Sequence, residues 1–310
     1  MRVVSLFSGI GGLDKGFVNH GFDVVWANDF DKYAVETYRA NYDNEIVLGD
    51  INTIDLNSIP DFDVLIGGFP CQPFSMMGEK KGFDDARGTL FFRIAEIIKH
   101  QIEKGNKPKA IVLENVRTLQ THDHGRTFFV IKSILEDLLD YKVFYTVINS
   151  ADYGVPQTRN RTYIVCFSNK EANFEFPQKK ELKISMQDLL EDSVDEKYFL
   201  SEKILPTILS NGTGGYNAKS EIDLKIARPL CATMAKMHRA CQDNYVTQNG
   251  RIRRLTPREC ARLQGFDDDF TIPVSDSQAY KQFGNAVTVN VADSVAFEVR
   301  NTLQTLKEWN

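Results

Sequence analysis

The chain has 310 residues, 42% hydrophobic and 25% charged, the composition of a water-soluble protein with room for one large core and a smaller second domain. Charged residues interrupt each apolar run far short of a membrane span, and a strand-like pattern begins at Val3, so neither a transmembrane helix nor a signal peptide is expected and the cytoplasm is the expected location. Five scattered cysteines (Cys71, Cys166, Cys231, Cys241 and Cys260) form no Cys-x-x-Cys pair, which speaks against a disulfide framework or a zinc site, and no metal is expected.

In the first half, short apolar strands alternate with longer amphipathic stretches, the rhythm of an α/β fold. Strands are predicted at 3–7, 24–27, 64–66, 110–113, 143–148 and 163–167, and helices at 33–41, 90–104 and 127–139. The first strand runs into Phe7-Ser8-Gly9-Ile10-Gly11-Gly12, a glycine-rich turn of the kind that holds a nucleotide-like cofactor. Asp14 stands where a dinucleotide fingerprint has its third glycine. A carboxylate at a helix start repels a pyrophosphate, which indicates a cofactor that lacks phosphates and carries positive charge. Asp29, twenty residues past Gly9, is placed for ribose hydroxyls, Phe30 for an adenine, and Asp50 for an exocyclic amine. S-adenosylmethionine fits this set better than NAD. For Asp29 or Asp50 taken singly, a loop cap is an equally good reading.

The strand at 64–66 ends in Gly67-Gly68-Phe69-Pro70-Cys71-Gln72-Pro73. Two glycines admit another molecule, two prolines fix the backbone, and a thiol held there is placed as a nucleophile rather than as a small core residue. The strand at 110–113 ends in Glu114-Asn115-Val116, and parallel neighbours bring Cys71 and Glu114 to one rim. A thiolate adds to an electron-poor ring carbon, and a carboxylic acid beside it protonates or hydrogen-bonds the ring nitrogen. Gln157-Thr158-Arg159-Asn160-Arg161 then offers two arginines for a carbonyl oxygen and a phosphate, although either one alone reads as surface charge.

From about Ser168 the α/β rhythm fails, which marks a change of domain. Residues 225–262 hold nine basic side chains and two acidic ones, a net of +7 in a chain of total charge −5, leaving −12 for the remainder. A basic stripe on an acidic body is the footprint of a phosphate-backbone binder. Helical patterning returns at Thr256, an N-cap followed by Pro257 and Glu259, and a last helix is predicted at 289–306.

Taken in order, Phe-Ser-Gly-x-Gly-Gly, Gly-Asp-Ile, Pro-Cys-Gln, Glu-Asn-Val, Gln-x-Arg-x-Arg, Arg254-Leu255-Thr256-Pro257-Arg258-Glu259-Cys260 and Gln282-Phe283-Gly284-Asn285-Ala286-Val287 resemble the bacterial DNA (cytosine-5)-methyltransferase family. The resemblance spans nearly the whole chain except residues 170–250. It implies an α/β, Rossmann-like methyltransferase sheet, mostly parallel with one antiparallel strand, and a smaller target-recognition domain. Residues 1–180 and 282–310 would be catalytic and cofactor-binding, and residues 181–281 recognition domain and hinge. By the same resemblance Cys71 attacks C6 of a cytosine flipped out of duplex DNA, Glu114 contacts N3 and the amino group, Arg161 contacts O2, and Arg159 orients the site or a phosphate. Cofactor contacts would come from Phe7, Ser8, Gly9, Gly11, Gly12, Asp29, Phe30, Asp50, Ile51 and Pro70, and from Asn285, Ala286 and Val287. Asp29 and Phe30 stand where many members have Glu and Trp, which keeps the chemistry.

The segment 71–89, with Ser75 early in it, corresponds to the family's loop that closes over DNA. Thr233 resembles the threonine of its recognition element, and Lys236, His238 and Arg239 follow at spacings suited to bases and phosphates. The implied partner is double-stranded DNA, bound by a monomer. The implied role is the modification half of a restriction–modification system, whose cognate endonuclease acts on the same site without necessary contact. A tRNA cytosine methyltransferase and a catalytically inactive DNA-binding regulator are the alternatives. The RNA branch's Cys-Phe-Thr signature is absent, and the intact Cys71, Glu114 and Arg161 speak against an inactive protein.

Overall fold

The computed structural model describes residues 1–70, 90–210 and 220–309. The chain divides into two compact units, one of Met1–Ile148, Asn160–Gln178 and Val291–Asn310, the other of Asn149–Arg159 and Lys179–Asn290. This differs from the expected boundaries at three places, one of them residues 179–180, which fall in the second unit. Residues 149–159 go with the second unit, and so do residues 282–290, which the sequence reading assigned to the first domain.

The first unit is built on strands β1 (Arg2–Leu6), β2 (Asp23–Asp29), β3 (Ile46–Leu48), β4 (Val64–Gly68), β5 (Ala110–Val116), β6 (Lys142–Asn149) and β7 (Asn160–Phe167). They form one sheet in the order β3-β2-β1-β4-β5-β7-β6. Pairing is parallel from β3 through β5, and β7 runs antiparallel to β5. Ile111, Val112 and Leu113 are fully buried, as a strand covered on both faces requires. Chain order reverses between β1 and β4, and open α/β sheets bind ligands at the carboxyl ends of the strands flanking such a point.

Helices α1 (Gly12–Val18), α2 (Lys32–Arg39), α3 (Leu90–Glu103) and α4 (Arg126–Ser133) belong to this unit. In α3, Phe91, Ile94, Ala95 and Ile98 recur at helical spacing and are buried, giving the stripe that meets the sheet core. The helix predicted at 127–139 is α4 followed by a π-helical turn, Ile134–Leu138. A Cβ on Gly16 in α1 would lie 2.5 Å from the Asp293 backbone nitrogen, so only glycine lets these two backbones approach.

The second unit contains α5 (Leu205–Ile208), the antiparallel pair β8 (Tyr245–Gln248) and β9 (Arg251–Arg254), α6 (Pro257–Leu263) and α7 (Asp276–Asn285). The division falls within the first turn of α8 (Val289–Thr305). Asn249 and Gly250 join β8 to β9 with φ of 52° and 73°, the left-handed pair that a two-residue hairpin turn needs. Thr256 caps α6 in a reciprocal capping box with Glu259. Glu259 also meets Arg253 at 2.6 Å, with both side chains buried.

Candidate active site and cofactor pocket

The turn after β1 is fastened from below. Gly9 N donates to Asp29 Oδ2 at 2.8 Å, Gly11 N to Ser8 O at 2.8 Å, and Tyr42 Oη to Gly11 O at 2.8 Å. Gly9 and Gly11 have φ of 56° and 80°, and a Cβ on Gly11 would strike the Tyr42 ring. Phe7 also sits at positive φ, 54°, a strained conformation for a bulky residue at the end of a strand. Ser8 turns its hydroxyl inward to Ser5, and Gly12 is buried.

Asp29, at the end of β2, accepts Gly9 N on one oxygen and Asp31 N on the other, at 2.8 Å each. Burial raises its pKa, partly offset by these backbone donors. The carboxylate keeps acceptor capacity for a further donor, as a ribose hydroxyl would supply. Phe30 beside it is 73% exposed, a large apolar face with little protein covering it. Asp50 is exposed and caps a 3-10 turn through Oδ1, which accepts from both nitrogens of Asn52. Its Oδ2 has no partner among the described residues. Ile51 is buried in the apolar core, and its carbonyl accepts from Arg93.

Asp14 departs from expectation. It is fully buried, with Oδ1 accepting from Tyr38 Oη at 2.8 Å and Oδ2 from Ser5 Oγ at 3.0 Å. Burial pushes its pKa up to about 6. The carboxylate therefore braces the base of the turn, and its charge is no evidence about a ligand's charge.

At the neighbouring strands, Glu114 on β5 faces Gly68 of β4 and Tyr163 of β7 in register. Its side chain is buried and meets Arg161 Nε at 3.0 Å. Arg161 lies opposite Val116, so the ion pair crosses the β5–β7 ladder diagonally. Arg161 Nη1 donates to Asn160 O, and Nη2 has no partner among the described residues. Asn115, buried, donates to Phe69 O at 2.8 Å and accepts from Val116 N at 2.8 Å. It ties the end of β5 to the residue before Pro70, which is exposed. Gly67 serves its own sheet, since a Cβ there would press on Leu6 O at 3.1 Å. Cys71 and Ser75, with the rest of segment 71–89, lie outside the described residues.

Two positioning asparagines went unread in the sequence. One is Asn115. The other is Asn28, buried on β2, which donates to Val47 O and Gly49 O and holds the Asp50 turn beside β2. Only their placement at the carboxyl ends of buried strands was available as a signal.

Arg159 requires a correction. It was read as catalytic, orienting the site or holding a phosphate, but it is 2% exposed and sits in the second unit. Nη1 donates to Leu230 O, and Nη2 to Gly284 O and Ala286 O. A guanidinium engaged in this way is a structural fork and cannot present a face to phosphate. In the same unit Asn285 is exposed, Ala286 buried and Val287 half-buried.

The basic stripe is also largely compensated. Arg228, Arg239, Arg251, Arg253 and Arg262 pair with Glu221, Asp243, Glu196, Glu259 and Asp268. Arg254 and Arg258 donate to backbone carbonyls. Among the nine, only the side chains of Lys225 and Lys236 have no hydrogen-bond or ion-pair partner within the described residues. Arg239, expected at a base or phosphate, gives Nε and Nη2 to Asp243. Thr233 and Lys236 are exposed, and His238 is half-buried against Tyr245.

The sequence profile described as C-5 cytosine-specific DNA methylase matches residues 1–301. The Type II methyltransferase M.SsoII of Shigella sonnei is 44% identical over 97% of this chain and 80% of its own length. M.NlaX of Neisseria lactamica, another Type II methyltransferase, is 42% identical over 99% and 98%. Among solved structures, the Entamoeba histolytica methyltransferase EhMeth superposes with a TM-score of 0.77 at 23% identity, covering 99% of both chains, a likeness of fold.

Proposed function

The chain belongs to the C-5 cytosine-specific DNA methylases and transfers a methyl group to carbon 5 of cytosine in DNA; we propose that it does so on one short duplex sequence, with S-adenosylmethionine as donor and Cys71 as covalent nucleophile. The observation that carries the reading is the buried Glu114–Arg161 pair at the end of β5, beside the strand that leads to Cys71. A fixed carboxyl suits the N3 edge of a flipped cytosine, and Nη2 of Arg161, without a partner among the described residues, suits its O2. Addition of the Cys71 thiolate to C6 makes C5 nucleophilic. After C5 is methylated, it loses its proton, and the Cys71–C6 bond breaks to regenerate the thiolate.

The residues around the glycine turn fit S-adenosylmethionine, which when bound supplies an electrophilic methyl group. Asp29 would accept from the ribose, Phe30 would cover the adenine, Asp50 Oδ2 would accept from its amino group, and Asn285, Ala286 and Val287 would contact the methionine end. Thr233 and Lys236 would face DNA. Relatives of 42–44% identity are Type II methyltransferases, which favours a modification enzyme over the RNA and inactive readings.

Transfer of labelled methyl groups to duplex DNA and to tRNA tests this, with base-resolution sequencing of the product. The expected outcome is 5-methylcytosine at a single DNA sequence. Label in tRNA alone, or none in either, would contradict it.

A further inference from the structure

The second unit brings the segment around Leu230–Thr233 and the Gly284–Ala286 loop onto one arginine. Arg159 Nη1 holds Leu230 O at 2.9 Å, while Nη2 holds Gly284 O at 3.0 Å and Ala286 O at 2.9 Å. Leu230 is three residues before Thr233, and the second pair of carbonyls brackets Asn285. Leu230 N also donates to Oε1 of Gln157, which is fully buried. The two segments touch backbone to backbone as well. A Cβ on Gly284 would lie 2.2 Å from Ala232 N and from Cys231 C. Neither segment can shift without moving the other or breaking the fork.

Resting on the proposed function, we propose that Arg159 is a positioning residue that couples target recognition to cofactor binding. Ordering Leu230–Thr233 against DNA also orders Gly284–Ala286, so each ligand tightens the other by the same factor. The fork is specific to a guanidinium. A lysine has one nitrogen and cannot hold the Leu230 and Gly284–Ala286 carbonyls from two separate atoms.

The experiment is calorimetric binding of S-adenosylhomocysteine to the full chain, with and without a duplex carrying the methylated site, and binding of that duplex with and without S-adenosylhomocysteine. In the wild type each ligand should tighten the other by about tenfold, within the usual range of such couplings. Arg159→Lys should bring both factors to within about twofold of one, since the linkage is reciprocal. Gly284→Ala tests the same contact from the other side with the guanidinium kept, and should also lower the factor. Melting curves identify which variants are folded. A folded variant of either kind that keeps the wild-type factor overturns the coupling, as does a wild-type factor near one. Absence of any S-adenosylhomocysteine binding by the wild type overturns the proposed function itself.

Discussion

Burial decides what several charged residues do, and sequence alone does not report burial. Asp14 and Arg159 both stand in cofactor or catalytic motifs, yet one braces a turn and the other bridges carbonyls. The strand positions of Glu114 and Arg161 were legible because the order of motifs fixes their strands. Asp14 has a measurable consequence. Its pKa rises from 3.8 unfolded to about 6 folded, so the folded state holds the proton more tightly. The resulting stability is present below pH 4 and is lost as pH rises through 6, on the order of 3 kcal/mol. Asp14→Asn should remove that dependence, and urea melts at pH 4 and pH 8 check it. An unchanged difference from wild type at the two pH values would contradict the assignment. Glu114→Gln, which keeps the shape but removes the acid and the negative charge that faces Arg161, should lower the methyl-transfer rate by about 10²–10⁴-fold. Single-turnover kinetics on saturating DNA measures it, and an unaltered rate would remove Glu114 from the chemistry.

Elements were legible where periodicity is strong. The predicted strands all formed, several longer than predicted; the inner ones are β-branched and leucine runs that suit a doubly covered sheet, whereas β6 lies at its edge and is mostly half-buried. The short β3 was harder to read, since three residues carry too little pattern. The helix ending in the π turn kept its apolar face but changed its hydrogen-bond step, which periodicity does not resolve. In the second unit the link between β9 and α6 depends on Arg253 and Glu259, exposed by 0% and 1%. Removing one partner of such a pair leaves an uncompensated buried charge. Arg253→Met should therefore cost about 3–5 kcal/mol in urea unfolding, and Arg253→Met with Glu259→Leu should cost less than the single change. A double variant as unstable as the sum of its parts would show that the residues act independently.

For the whole molecule, charge counting misled because a linear segment ignores the carboxylates that fold onto it. Glu196, Glu221 and Asp268 lie outside residues 225–262 and neutralise three of its arginines. DNA affinity should consequently fall with salt less steeply than nine cations would require. Lys236→Ala should weaken binding to all sequences and reduce the log–log salt slope by about 0.9, as loss of one phosphate contact does. Filter binding between 50 and 200 mM salt, a range in which about six to ten contacts would change affinity by 10³–10⁵-fold, resolves the difference. The central claim, that Cys71 bonds to the target base, is tested most directly with duplex DNA carrying 5-fluorocytosine at the methylated position, where fluorine blocks the final loss of a proton. Incubated with S-adenosylmethionine and then digested, the complex should yield a peptide containing Cys71 joined to the modified base, and Cys71→Ser should yield none. Methylation of ordinary cytosine by a wild-type preparation that forms no such adduct would contradict the account.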